Sequence, residues 1–176
     1  MNTKWFWGAG IVAVIATGFF IFNSFIYNEK QVSTATDYLD AEYVVEGERI
    51  VLGGDARYFG NELYADINGD GREDVVFLIT HEPGGSGTFY YAVAAINTEQ
   101  GYIGSDGYFL GDRIAPQATT LSPNPRHKNV VVFNYADRAP DEAITAQPSQ
   151  GKSVYLKIDE NNRWGIVVVD FEGESR

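Results

Sequence analysis

The sequence predicts an all-β soluble domain, an antiparallel sheet, sandwich or partial barrel, preceded by one N-terminal transmembrane helix. Three observations predict it. The stretch from Trp5 to Asn28 holds no charged residue. After it come short runs of β-branched and aromatic residues, separated at strand spacing by Gly, Pro, Asn and Asp. Beyond the first stretch, no segment keeps a 3.6-residue apolar period for three turns. Composition agrees, because 44% hydrophobic residues and 14% aromatics are too many for a disordered acidic chain.

The apolar core of the first stretch, Trp5 to Ile26, would span ~33 Å as a helix, against a hydrocarbon thickness of ~30 Å. Trp5 and Trp7 at one end, and Phe25 and Tyr27 at the other, stand where an aromatic belt would put them. The run exceeds a signal-peptide apolar region of roughly 7–15 residues, although Ser33-Thr34-Ala35 offers a small-residue cleavage point. Lys4 and the terminal amine precede the span, and acidic residues dominate after it. The expected placement is the cell membrane, single-pass, with the N-terminus cytoplasmic and the remainder extracytoplasmic. Ala9, Ala13 and Thr17 form a small-residue ridge that permits oligomerisation through the anchor. The expected organisation is an anchor over 1–28, a polar tether over 29–42 and a β domain over 43–176.

Charge and cysteine content remove several function classes. Thirteen basic against 24 acidic residues give a net charge of −11, which argues against nucleic acid as a partner. With no cysteine, disulfide scaffolds, thiolate zinc sites and cysteine nucleophiles are excluded.

The elements follow in order. Tyr43-Val44-Val45 and Ile50-Val51-Leu52 flank Glu46-Gly47-Glu48, a hairpin with a glycine turn. Arg57 to Phe59 and Leu63 to Ala65 are short strands. Val75 to Thr80 is a continuous apolar run and reads as a central strand buried on both faces. Thr88 to Ile96 alternates Phe89, Tyr91, Val93 and Ala95 against Tyr90, Ala92, Ala94 and Ile96. Tyr102 to Leu110, Gln117 to Leu121, Val130 to Tyr135, Ser153 to Ile158 and Trp164 to Phe171 complete the set. Pro123 and Pro125 bound one loop, and Pro140 and Pro148 bound another. Without an internal repeat, a full propeller is not expected.

The strongest local signal is Asp66-Ile67-Asn68-Gly69-Asp70-Gly71-Arg72-Glu73-Asp74. Oxygen-bearing side chains fall at loop positions 1, 3, 5 and 9, and glycine falls at position 6. Calcium takes six to eight oxygens at roughly 2.3–2.6 Å, and alternate residues of a tight loop direct their oxygens inward. The expected metal ligands are Asp66, Asn68, Asp70, the Arg72 carbonyl and Asp74, holding a structural Ca²⁺. Phe77 stands where an EF-hand carries its closing Glu, and a strand follows in place of the exiting helix. The alternative reading is a plain hairpin, because Asn68-Gly69 and Asp70-Gly71 are both turn dipeptides.

With Phe59-Gly60 ahead of it, this loop resembles the FG-GAP/VCBS type of calcium loop, found in integrin-like propeller blades and bacterial surface proteins. A longer series runs through Gly84-Gly85-Ser86-Gly87-Thr88-Phe89-Tyr90, Leu110-Gly111-Asp112-Arg113 and Asn134-Tyr135-Ala136-Asp137-Arg138. It is similar to small membrane-anchored or exported bacterial proteins of unknown function. The resemblance implies one compact domain with a calcium-type loop, and no particular reaction.

Other groups point to no catalytic residue. Gly84 to Thr88 lacks the Lys of a phosphate loop and the fifth-place Gly of a nucleophile elbow, so it reads as a turn. His81 and His127 have no neighbouring His at metal spacing. Asp112-Arg113 and Asp137-Arg138 read as structural pairs at strand ends. Tyr90, Tyr91, Tyr102, Tyr108 and Tyr135 are strand aromatics that would line a sugar or peptide groove if they converged. The expected function is a membrane-anchored, calcium-binding module for a protein or glycan ligand in the cell envelope. An extracytoplasmic hydrolase acting on glycan or peptide, with a supporting calcium, is the alternative.

Overall fold

The computed structural model describes residues 33–169. The expected anchor over 1–28 therefore lies outside the described residues, as does Asp170–Phe171 at the end of the last expected strand, which within the described residues is strand only over Trp164–Ile166. Among the described residues no helix is long and apolar enough to cross a membrane. Over the described residues the expected antiparallel all-β architecture is what the chain adopts.

The strands are β1 (Tyr43–Val45), β2 (Glu48–Ile50), β3 (Ala56–Ala65), β4 (Asp74–His81), β5 (Phe89–Thr98), β6 (Gly101–Gly104), β7 (Tyr108–Asp112), β8 (Ala115–Leu121), β9 (Val131–Asp137), β10 (Gln150–Ile158) and β11 (Trp164–Ile166). One sheet runs β3-β4-β5-β6, with β7 also paired to β5. A second runs β11-β10-β9-β8, and β1-β2 forms a separate hairpin.

Side-chain alternation explains why β4 and β5 read as nearly continuous apolar runs. Val76 and Leu78, with Ala92, Ala94 and Ile96, pack against Val131, Phe133 and Tyr135 of β9 and against Leu156 and Ile158 of β10. Val75, Phe77 and Ile79, with Tyr91, Val93 and Ala95, face the other way and pack against Ala41, Tyr43 and Val45. The five-stranded sheet is thus the middle layer, covered on one side by the four-stranded sheet and on the other by the hairpin. At ~25 cal/mol per Å² of apolar surface, this double burial is what a disulfide-free domain relies on.

Several details depart from the sequence expectation. Glu46 and Gly47 both take positive φ (53° and 87°), the geometry of a two-residue primed turn, so the second hairpin strand begins at Glu48 and not at Ile50. The two short strands around Gly60-Asn61 are one strand, β3, bent by a bulge at which Gly60 has φ 117° and Asn61 φ 58°. The expected tether joins the domain from Ala35 onward. Ala35 exchanges backbone hydrogen bonds with Tyr102, at 2.9 and 2.7 Å, and Ala41 is buried. A short 3₁₀ turn, Tyr38–Asp40, capped by Asp37, sets Tyr38 edge-on to Phe77 at 5.5 Å.

The expected strand Tyr102 to Leu110 is two strands separated by Ser105-Asp106-Gly107, and this break joins the three layers. Ser105 exchanges hydrogen bonds with Ala94 of β5, its hydroxyl accepting from the Ala94 N–H at 2.8 Å. The Ser105 carbonyl and the Gly107 N–H bracket Val44 of β1 at 3.1 and 2.7 Å. Asp106 donates its N–H to the Asn162 carbonyl and accepts from the Trp164 N–H at 2.8 Å, reaching β11 of the second sheet. Burial raises the Asp106 carboxyl above its usual pKa range, against the opposing Trp164 hydrogen bond.

Candidate functional site

The Asp66–Asp74 segment is the loop between the antiparallel neighbours β3 and β4, so the hairpin half of the sequence reading holds. Its side chains point inward, onto the loop's own backbone. Asp66 accepts from the N–H groups of Gly69 (2.6 Å), Asp70 (3.2 Å) and Gly71 (2.9 Å). Asn68 Oδ1 accepts from Asp70 N–H at 2.9 Å. Asp70 Oδ1 accepts from Arg72 N–H at 2.8 Å, and this bond, with the Arg72 guanidinium, holds the Asp70 carboxyl below its usual range. Gly69 and Gly71, at φ 88° and 87°, supply the left-handed turns that let three amides converge on Asp66 and a fourth reach Asp70.

Asp74 is different in kind. It is 0% exposed, and its two oxygens accept from Ile67 N–H (3.1 Å) and from Asn97 N–H (2.9 Å) on β5. Burial raises its pKa more than these two bonds lower it, and the charges of Asp70 and Asp66 push it further up. Three carboxylates therefore repel one another across one short loop.

The donor set, four side chains and one carbonyl, is all oxygen and suits a hard cation in kind. Its geometry is spent on N–H donors. Among the described residues, no group of three or more His, Cys, Asp or Glu side chains could hold a metal ion. Calcium coordination would require Asp66 and Asp70 to turn from their amide partners. The sequence reading used only the carbonyl of Arg72, but the side chain matters as well. Its Nη2 lies 2.7 Å from Asp70 Oδ2 and its Nε donates to the Asn97 carbonyl at 2.9 Å. Arg72 thus partly neutralises the loop and ties it to β5. Asn97 also donates its side-chain amide to the Glu73 carbonyl at 3.1 Å, and no local motif signalled that role.

The two Asp-Arg pairs meet at the far end of β4 and β5. Arg113, itself at φ 49°, forks onto Asp112, with Nη2 to Oδ2 at 2.7 Å, and Asp112 also accepts from Thr88 N–H at 2.9 Å. The Arg113 hydrogen bond, opposed by burial, holds Asp112 below its usual range. Arg138 donates to the carbonyls of Arg113 (3.1 Å) and Asp112, so a residue following β9 clasps the end of β7. Asp137 is partly desolvated, yet its pairing with Lys152 at 2.7 Å and the Arg138 N–H leave its pKa lowered. The structural reading of these pairs accounts for every one of these contacts.

The tyrosines do not converge as a groove. Tyr91 and Tyr135 are buried, and Tyr102 packs edge-on to Tyr38 at 6.1 Å. Tyr108 lines a groove of about 460 Å³ with Ser153, Val154, Tyr155, Ile166 and Val167. Ser122 Oγ lies 2.9 Å from His127 Nδ1, five residues on within the β8–β9 loop, where Asn124 also donates to Ser122 Oγ. This contact closes a turn.

No protein-family model, curated protein or solved structure matches the chain.

Proposed function

We propose that residues 33–169 form the calcium-stabilised, extracytoplasmic binding domain of a single-pass membrane protein, with a loop of the FG-GAP/VCBS type as its local clamp. The observation that carries this reading is the buried Asp74 carboxylate, held with Asp66 and Asp70 in one loop where their charges oppose one another. A divalent cation would offset that repulsion. When bound it would supply positive charge and rigidity, and the loop's role would be structural. Asp66, Asn68, Asp70, the Arg72 carbonyl and Asp74 would hold it. Asp74 and Asn97 would pass the added rigidity to β4 and β5 through their hydrogen bond.

A protein or glycan of the cell envelope is the partner class that suits this reading. The groove beside Tyr108, walled by Ser153, Val154, Tyr155 and Ile166, suits a binding role, and glycan or peptide hydrolysis is the second reading. The membrane span over 1–28 and its orientation rest on the apolar run and the charge asymmetry of the sequence.

The test is calorimetric titration of the full chain in detergent micelles with CaCl₂, and with MgCl₂ as control. Binding in the ~10⁻⁴–10⁻³ M range, a rise in Tm and loss of both in Asp66→Ala support the proposal. No heat and no change in Tm at about 10 mM calcium, well above that range, would remove it.

A further inference from the structure

The hairpin leaves part of the sheet face that it covers open to solvent. β1 runs parallel beside the Ser105–Gly107 junction, with Val44 opposite Asp106, and the chain turns back at Glu46-Gly47. Phe109, further along β7 on the same face, is 51% exposed. Its ring centre lies 5.4 Å from that of Tyr91 and 6.2 Å from that of Phe89, tilted at 53° and 57°. Phe89 is braced in turn, because its ring sits over Gly87, where an added Cβ would come within 2.6 Å of it. The three rings form a preset apolar ledge. At its border Tyr91 donates its hydroxyl to Glu46 Oε1 at 2.7 Å. Glu46 and Glu48, on either side of the turn glycine, are exposed. Among the described residues no basic side chain pairs with either, and the adjacent Arg49 is held by Glu42 at 2.9 Å.

We infer that the Phe109 ledge and the Glu46 turn together form a docking site for an arginine side chain of a protein partner. The inference rests on the binding role given above and names the partner's chemistry; it does not depend on calcium. Charge complementarity selects the occupant. A neutral partner laid on the ledge would desolvate the carboxylates at its border with nothing to offset them. A cation offsets that cost and is also attracted to the face of the Phe109 ring. Arginine suits both walls at once, because its flat, weakly hydrated guanidinium stacks on a ring and forks onto a carboxylate. The lysine ammonium, a compact and strongly hydrated point charge, meets only one of the two demands. Tyr91 takes one oxygen of Glu46 and orients the group, and the second oxygen is the acceptor offered to the guanidinium. With the rings already braced, little ordering is needed when the partner arrives.

The test is NMR of the full chain in micelles with isotope-labelled Phe rings. The probes are the blocked peptide Gly-Arg-Gly and its citrulline counterpart, which keeps the planar shape without the charge. Saturable shifts of the Phe89 and Phe109 ring signals are expected with arginine, and binding roughly tenfold weaker with citrulline. Read at Phe89, Phe109→Ala and Glu46→Gln should each weaken the arginine peptide about three- to fivefold. Glu46→Gln keeps an oxygen for the Tyr91 hydroxyl, so its loss of affinity reports the charge and not the fold. Equal affinity for the two peptides, or shifts confined to other rings, overturns the proposal. Phe109 shifts that follow protein concentration without peptide also overturn it and assign the ledge to a second copy. Shifts produced by a neutral N-acetylglucosamine trimer but not by the arginine peptide overturn it in favour of a glycan. The titration is run with and without CaCl₂. Arginine binding in both, on a chain that shows no calcium heat, keeps this site and removes only the calcium clamp.

Discussion

Asp74, the first residue of β4, accepts the backbone N–H of Asn97, near the end of β5, at 2.9 Å and with no exposure to solvent. Its other oxygen holds Ile67 N–H, so one carboxylate fastens the acidic loop to two strands. Asp74→Ala should leave two N–H groups without an acceptor and cost roughly 2–4 kcal/mol. Asp74→Asn should cost less, since its amide oxygen keeps one bond and the buried charge is gone. Urea denaturation measures both, and a loss below about 0.5 kcal/mol for the alanine variant would show that the tie carries little stability.

The acid side of the stability profile should have two parts. Asp74 and Asp106 have raised pKa values, so their ionised forms destabilise the fold. Their contribution is restored as pH falls through their folded values, above the ordinary carboxylate value near ~4. Asp112 and Asp137 have lowered values, so they stabilise the fold above their unfolded values and lose that contribution as pH falls through the folded ones. Tm should therefore rise slightly from neutral pH into the mildly acidic range and fall below about pH 4. A monotonic fall from neutrality would contradict the first half.

Arg138 grips two carbonyls at the end of β7, while Arg113 only forks onto its neighbour Asp112 near the surface. Arg138→Ala should cost about 1–3 kcal/mol, as expected for lost bonds from a charged donor. Arg138→Lys should recover little, because an ammonium cannot span both oxygens. Arg113→Ala should stay below about 1 kcal/mol. Thermal melts of the three variants rank them, and the reverse order would contradict the clasp.

Gly104, at the end of β6, lies where an added Cβ would run into the Glu42 carbonyl and the Tyr43 ring. Gly104→Ala should push the hairpin off the sheet face at a cost of about 1–3 kcal/mol. Gly151→Ala, in open space, should cost nothing comparable. Equal melting temperatures for the two would show that the hairpin yields without strain.

The layer order was legible where a residue's own neighbours determine its burial. The unbroken apolar run of β4 marks a strand covered on both faces, and Glu46-Gly47 marks a turn. What stayed hidden depends on distant partners. The break at Ser105 exists because Val44 and Trp164 each claim a backbone or side-chain group of the segment. Ala35 belongs to the domain through its backbone alone, and Ser33, Thr34 and Thr36 around it have linker composition. In the acidic loop, the oxygens and glycines were readable from their spacing. That Asp74 faces the interior, and that Arg72 and Asn97 secure the loop, came only with β5 in place.

The junction at Ser105–Gly107 also sets when the domain can be finished. The bond from Trp164 N–H to Asp106 spans 58 residues of chain, whereas the bond from Ala94 to Ser105 spans 11. Closing the longer loop costs more entropy and is rewarded only when both ends are present. During synthesis, β4 and β5 can pair early, but Asp106 has its partners only after Asn162 and Trp164 have been made. Until then, a buried carboxylate and an apolar sheet face await the last hairpin, and an emerging chain stays open to whatever binds unfinished sheets.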